Sequence, residues 1–420
     1  MFAMSGGCMR KLGFVVVLLG LLIFSLSCDN PTESRSNPYE QQPIDWPSLA
    51  DSPWPMYRHD PQNTGRSPNY GALTGMIVNK IASHESQAGV VIGKDSTLFF
   101  YNMISGIDYL QATDFEGNIK WSKRVHREPS TTPVVLYDGS IVAIGLENGE
   151  FIRLTSDGDT LWQCFIDTDH DLWAANCGIS VGLDTPIYYV TSDCHRLVAI
   201  SSNGNLKWSI NDNRIYTNYT NIPVFSPDGK TLYLSGDNGV ALVAVNINTQ
   251  SISWTYGNEP LECAPMVDNE GNIFIYNAGG YSSSDEGDFA FVCLKSDGSL
   301  RWKFPMGEKY TYELNPAIDW EGNVYFGTDT LFSFTNDGKF RWELPGQSQS
   351  IECALTIDGN NNIYGFRNDR YLVGFCVNKA GNVVWEMNTT EFTRLGGSPI
   401  IVFNSILVPG WRSEWIYIIH

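Results

Sequence analysis

An all-β fold is predicted by three features of this 420-residue chain. A tryptophan recurs at a near-constant interval, a glycine turn stands ahead of almost every one, and no stretch carries apolar residues at helical spacing. The tryptophans are Trp121, Trp162, Trp208, Trp254, Trp302, Trp342 and Trp385, 40–48 residues apart. Gly117, Gly158, Gly204, Gly298, Gly338 and Gly381 stand four residues before six of them, and Gln250 takes that place before Trp254. Windows such as DFEGNIKW and KSDGSLRW read as tight turns entering strands, because glycine supplies the positive φ that short hairpins need.

Each turn is preceded by an apolar strand (FIRL at 151–154, LVAI at 197–200, FVCL at 291–294) and, further upstream, by a second hairpin (SPDGKTLY, DWEGNVY). A unit of this length holding four short strands and two turns is a β-propeller blade; a helical or leucine-rich repeat would place Leu or Ala at helical spacing. Seven tryptophan units are complete. After Trp385 the chain offers three more strands and stops, while TGMIVNKIAS (74–83) supplies a spare strand near the front. Pairing the two ends would close the ring and remove free edges. The expectation is therefore an eight-bladed β-propeller of four-stranded antiparallel blades, closed by an N-terminal strand. The alternative is seven blades with the last strands as an appendage.

The start of the chain is a targeting segment. Met9-Arg10-Lys11 is basic, residues 12–26 are almost wholly apolar, and Ser27-Cys28 then opens a polar stretch. This order is that of a secretory signal, and the apolar run is short for a membrane span, which takes about 20 residues. Ser25-Leu26-Ser27-Cys28 resembles a bacterial lipobox, with Ser25 where Leu is usual. That resemblance implies a signal peptide over 1–28, acylation of Cys28, and attachment to a bacterial membrane of the cell envelope. Met1 and Met9 are both possible starts. Residues 29–53 are polar and proline-rich, a composition that reads as a tether. Residues 54–420 form the propeller.

The net charge is −19, and residues 1–27 contribute two bases and no acid, so the body is more acidic still. Such a surface repels phosphate backbones and excludes nucleic acid as an expected partner.

On the glycine–tryptophan repeat the chain resembles the pyrroloquinoline-quinone-repeat propellers, the quinoprotein alcohol dehydrogenase-like family. Residues 54–68, WPMYRHDPQNTGRSP, are similar to a segment preceding the first blade in exported members. The resemblance implies that the seven tryptophans dock on turns of neighbouring blades, a sensible use of large aromatic side chains. The family includes quinone-dependent dehydrogenases and cofactor-free lipoproteins similar to the outer-membrane assembly propeller. The dehydrogenases carry adjacent cysteines over the quinone and often a C-x-x-C-H haem site; neither occurs here. No cofactor is therefore expected, and pyrroloquinoline quinone has no motif to support it.

Other chemistry is equally unmarked. The six histidines show no metal-ligand spacing, and the Asp-Gly turns lack the terminal Glu of a calcium loop. No catalytic residue and no metal site is assigned. Arg58, His59 and Asp60 read as part of a pinned structural segment, with a polar site as the alternative. Seven cysteines follow Cys28. Cys293 and Cys376 fall in a small-residue position nine before Trp, and Cys263 and Cys353 share another, so most read as buried thiols. Cys177 and Cys194 lie within one blade and are the pair to entertain as a disulfide.

Glu262, Glu313 and Glu352 share one register at the start of three consecutive blades. They are expected to form an acidic arc at one channel mouth, a candidate ligand site where like charges would raise some pKa values. An insertion at 277–290 is a candidate contact loop. The functional expectation is a membrane-anchored, non-catalytic scaffold that binds envelope proteins. The alternative is a quinone- or ligand-binding propeller with oxidoreductase activity, and a glycan-binding module is a third option without a motif.

Overall fold

The computed structural model describes residues 37–84, 88–125, 131–144, 150–165, 178–183, 186–191, 195–216, 222–258, 261, 264–277, 290–306, 315–346, 351, 353–368, 372–391, 394–395, 397–411 and 414–420. The chain divides into two units, Met1–Glu40 and Gln41–His420. Of the first, only a turn is described, in which the Glu40 N–H donates to the Asn37 carbonyl at 3.2 Å.

The second unit is all-β among its described residues. Seven sheets are regular four-stranded antiparallel blades in which each strand pairs with its neighbour in the chain. Blade 1 runs through Val91–Ile92, Leu98–Ile104, Ile107–Thr113 and Ile119–Arg124. The inner strands of blades 2 to 7 are Val134–Val135, Gly178–Val181, Val224–Phe225, Met266–Val267, Ala317–Ile318 and Thr356–Ile357. An eighth sheet is composite. Its strands Ile400–Val402, Ser405–Trp411 and Trp415–Ile419 come from the end of the chain, and Ile77–Ala82 from near the front pairs antiparallel with the last of them. Inner strands of successive sheets lie side by side, as in blades 1 and 2, 2 and 3, 6 and 7, and 7 and the composite sheet. The regular blades thus number seven, as in the alternative reading, and the composite sheet stands where the closing strand was expected.

Burial follows from this stacking. Middle strands are covered by neighbouring blades on both faces and read as continuous apolar runs, such as Ile141–Ile144 and Leu372–Val377, buried throughout. Outer strands alternate, as in Ser251–Tyr256, because one of their faces meets water.

Each tryptophan sits on an outer strand, and six of the seven face a small residue: Ala112 faces Trp121, Ala199 Trp208, Ala244 Trp254, Cys293 Trp302, Ser333 Trp342 and Cys376 Trp385, whereas Trp162 faces Arg153, whose guanidinium donates to the same Ser202 carbonyl as the indole. In all seven regular blades the register slips just after this pair, a β-bulge that turns the indole toward the next blade. The Nε1–H groups of Trp121, Trp162, Trp302 and Trp342 donate to Ser156, Ser202, Asn336 and Lys379 carbonyls, each in the next blade's glycine turn, at 2.7–3.0 Å. A Cβ on Gly338 would lie 2.6 Å from the Trp302 ring, and its φ is +84°, so this position requires glycine twice over. Trp254 packs in the same way on Gly298, and Gln250 adopts φ 55° in the turn that lacks glycine.

The composite sheet has no tryptophan at this position. Asn79, four residues after Gly75, fills the place: its Nδ2–H donates to the Phe115 carbonyl at 3.1 Å, while Ile81 packs beside Gly117. Trp385 completes the ring by donating to the Ala72 carbonyl at 3.0 Å with its indole against Gly75.

The tether expected over 29–53 is corrected in its second half. Residues 41–53 belong to the propeller unit, with Trp46 and Ser48 buried. Proline-rich chain can pack against a surface because it has few N–H groups to satisfy, and one indole is enough to anchor it.

Trp385 is the most buried of the docking indoles. Trp385→Ala is expected to cost about 3–5 kcal/mol, and Trp385→Phe only about 0.5–1.5 kcal/mol for the lost hydrogen bond. Urea unfolding of the two variants checks the order; equal losses would place the stabilisation elsewhere.

Candidate functional site

The inner strand of a blade pairs on one side only, and its other edge faces the axis. Residues 54–67 lie across these edges at the end where each inner strand runs into its hairpin turn. The N–H groups of Ile92, Val135, Phe225, Val267, Ile318 and Ile357 donate to the carbonyls of Trp54, Pro55, Pro61, Gln62, Thr64 and Gly65, at 2.8–3.3 Å. Each donor is the last residue of its inner strand, and each is fully buried. Blade 3 is held by the preceding stretch, where Trp46 Nε1–H donates to the Val181 carbonyl at 2.7 Å and the Ser48 hydroxyl to Gly182. One segment therefore serves blades 1, 2 and 4 to 7 in chain order, then leaves past the composite sheet, where the Asn404 N–H donates to the Tyr70 carbonyl.

Tracking around a ring forces sharp local geometry. Arg58, His59 and Asn63 have φ of 58°, 80° and 59°, a left-handed conformation that non-glycine residues adopt only under constraint. The constraint is visible in the side chains. Arg58 is 1% exposed, and its guanidinium donates to the carbonyls of Leu355, Pro316 and Asn63. Asn63 Nδ2–H donates to the Pro265 carbonyl at 2.7 Å. Asp60 accepts from the N–H and hydroxyl of Thr64, closing the turn. Burial alone would raise the Asp60 carboxyl, but His59, the charge of Arg66 and the Thr64 hydroxyl outweigh it, so the group is held below the usual carboxylate range. Arg66 stacks over Trp320 at 4.7 Å and donates to Gln41 and Asn269. Arg58, His59 and Asp60 thus share a segment and divide its work. Arg58 points into the channel, while His59 and Asp60 face outward.

Outward of the segment is a cavity of about 630 Å³, lined among others by Trp46, Pro47, Gln62, Arg66, Tyr137 and Trp320. Its volume lies within the roughly 300–1,000 Å³ span of small-ligand sites. Four of its polar atoms are buried without a hydrogen-bond partner: Ser52 Oγ, His59 Nδ1, Gln62 Nε2 and Trp320 Nε1. His59 Nδ1 stands 3.8 Å from Asp60 Oδ2, beyond hydrogen-bond reach.

Glu262, Glu313 and Glu352 lie outside the described residues, as do Cys28, Cys177, Cys194, Cys263 and the interior of the 277–290 insertion. Cys164, Cys293, Cys353 and Cys376 are unbridged thiols. Burial pushes the Cys293 and Cys376 thiols up to about 12 and Cys164 up to about 11, which leaves them protonated and unreactive at neutral pH. Among the described residues no cluster of three or more His, Cys, Asp or Glu could hold a metal ion.

A closed ring of antiparallel sheets with a chain segment seated across its channel end defines a β-propeller. No family model matches the chain, and no curated protein matches it in sequence. Among solved structures, BamB from Moraxella catarrhalis is similar at a TM-score of 0.57 and 14% identity, covering 82% of this chain and 98% of its own. The C-terminal WD40 domain of Sif2 is similar at 0.63 and 12% identity, covering 83% and 99%. At these identities the likeness is one of fold.

The Asp60 carboxylate, depressed in the folded state, stabilises the fold above its unfolded pKa of about 4, and that contribution is lost as pH falls through the lower folded value. Asp60→Asn should therefore be less stable than the parent at pH 7 by about 1–3 kcal/mol, with the gap narrowing on acidification below pH 4. Urea midpoints across pH 7 to 2 check this. A gap that widens toward low pH would contradict it.

Proposed function

We propose that this protein is a non-catalytic scaffold that binds other proteins in the bacterial cell envelope, held at a membrane by lipid on Cys28. The observation that carries the reading is the seat of residues 54–67. Their fixing groups, Arg58, Asn63 and the six backbone carbonyls, are engaged with the blades. One end of the channel is thus given over to the chain's own segment, and the recognition surface at this end becomes the outward face of that segment. Propellers offer broad rigid faces of this kind, and function on a shared fold is set by such local surfaces. The basic, apolar and Ser27-Cys28 succession supports export and lipidation, and the fold shared with BamB fits an envelope role.

Two measurements in a bacterial host test the reading. Labelled palmitate should enter the protein and be lost in Cys28→Ser. Crosslinking in intact cells should then recover envelope proteins as neighbours. Absence of label, or crosslinks confined to cytoplasmic proteins, would contradict it. Saturable binding of pyrroloquinoline quinone with calcium, accompanied by dye-linked oxidation, would favour the oxidoreductase alternative.

A further inference from the structure

The cavity above residues 59–66 contains unmet hydrogen-bonding capacity that the fold does not use. Trp320 Nε1–H and the Gln62 amide nitrogen can only donate, and neither has a partner; Gln62 is 2% exposed. Ser52 Oγ adds a further atom without a hydrogen bond on the same wall, and His59 Nδ1, which faces Asp60 Oδ2 at 3.8 Å, also lacks one. Leaving such groups buried and unmet is costly, so a concentration of four in one cavity points to an occupant that supplies acceptor oxygens. Much of the remaining wall is proline and poor in backbone donors, since Pro43, Pro47, Pro55 and Pro61 line it. At the rim are Asp45 and Asp51, both exposed, and Lys94, exposed and donating to the Tyr137 carbonyl at 2.8 Å, in a chain whose net charge is −19.

We propose that this cavity binds an extended, proline-containing peptide segment with basic flanks, whose backbone carbonyls accept hydrogen bonds from Trp320 and Gln62. Extended proline-rich chain presents a carbonyl at regular intervals, has few N–H groups of its own, and suits walls of aromatic rings and prolines. A sugar fits less well. Its hydroxyls would need acceptors as well as donors on the cavity floor, where the Asp60 carboxylate is already engaged by Thr64 and the other two carboxylates, Asp45 and Asp51, stand exposed at the rim. The two indoles are also poor stacking platforms: Trp46 packs on Phe225 with its N–H committed to Val181, and Arg66 covers one face of Trp320. The two rim carboxylates outnumber the one rim lysine, which is committed to the Tyr137 carbonyl, and so favour lysine or arginine beside the prolines.

The proposal rests on the scaffold reading in taking the ligand to be a protein segment, and its test is independent of cells. A fluorescent nine-residue peptide of three Pro-Pro-Arg triplets is titrated into the purified full chain and followed by anisotropy. The expected result is saturable binding, weakened at least about tenfold by Gln62→Leu and by Trp320→Phe. Both substitutions leave the backbone seat of residues 54–67 and the ring beneath Arg66 in place, and unchanged thermal unfolding verifies this. A Gly-Ser-Arg peptide of equal length and charge should bind at least about tenfold more weakly. Equal binding of that peptide, binding indifferent to both substitutions, no saturation with the Pro-Pro-Arg probe, or displacement of the probe by a chitin or cellulose hexasaccharide would each overturn the assignment. Failure here with envelope neighbours still recovered by crosslinking would remove the cavity's role and leave the scaffold reading standing.

Discussion

The inner edges of the blades set the terms for this molecule. Every propeller turns one strand edge per blade toward its axis, and the backbone donors on that edge have no strand to pair with. Here six of those donors are fully buried at the same position, and all six meet carbonyls of one segment between Trp54 and Gly65. An unpaired buried N–H costs about 1–3 kcal/mol, so the segment is part of the fold rather than an attachment to it. Its left-handed turns at Arg58, His59 and Asn63, and the carbonyl-bound guanidinium of Arg58, follow from the need to visit six blades within a dozen residues. The cavity follows in turn, because the chain that fills the channel end also forms the cavity floor.

The tryptophan lattice works at the opposite radius. The indoles of Trp121, Trp162, Trp302 and Trp342 reach a carbonyl in the next blade's turn, and the bulge, with a small residue opposite six of the seven tryptophans, gives the ring room to swing across. Ala, Ser and Cys occupy that position in six blades as small side chains, which explains why cysteines occur there as buried thiols, while Arg153 fits in blade 2 with its guanidinium bonded to Ser140, Ser202 and Asp138. The two devices are complementary: one ties blades together at the rim, the other at the axis.

The repeat was legible in the sequence because a propeller is built from local hairpins whose turn and strand signals recur every blade. Closure by residues 77–82 was legible too, since three strands after Trp385 needed a fourth. What the sequence did not disclose were the side-chain contacts between distant residues. Asn79 does the work of a tryptophan without resembling one, although its place four residues after Gly75 was the signal that could have found it. Residues 41–53 read as a tether because proline content says nothing about whether a surface is waiting to receive the chain. The cavity joins Ser52, Gln62 and Trp320, and its unmet donors exist only once the blades are arranged around the axis.

The most direct test is amide hydrogen exchange at Ile92, Val135, Phe225, Val267, Ile318 and Ile357, resolved residue by residue in the native protein. If residues 54–65 complete the inner strands, these six amides exchange as slowly as the middle-strand amides of the same blades. Exchange at the rate of surface turns, with the middle strands still protected, would show the inner edges open and contradict the account.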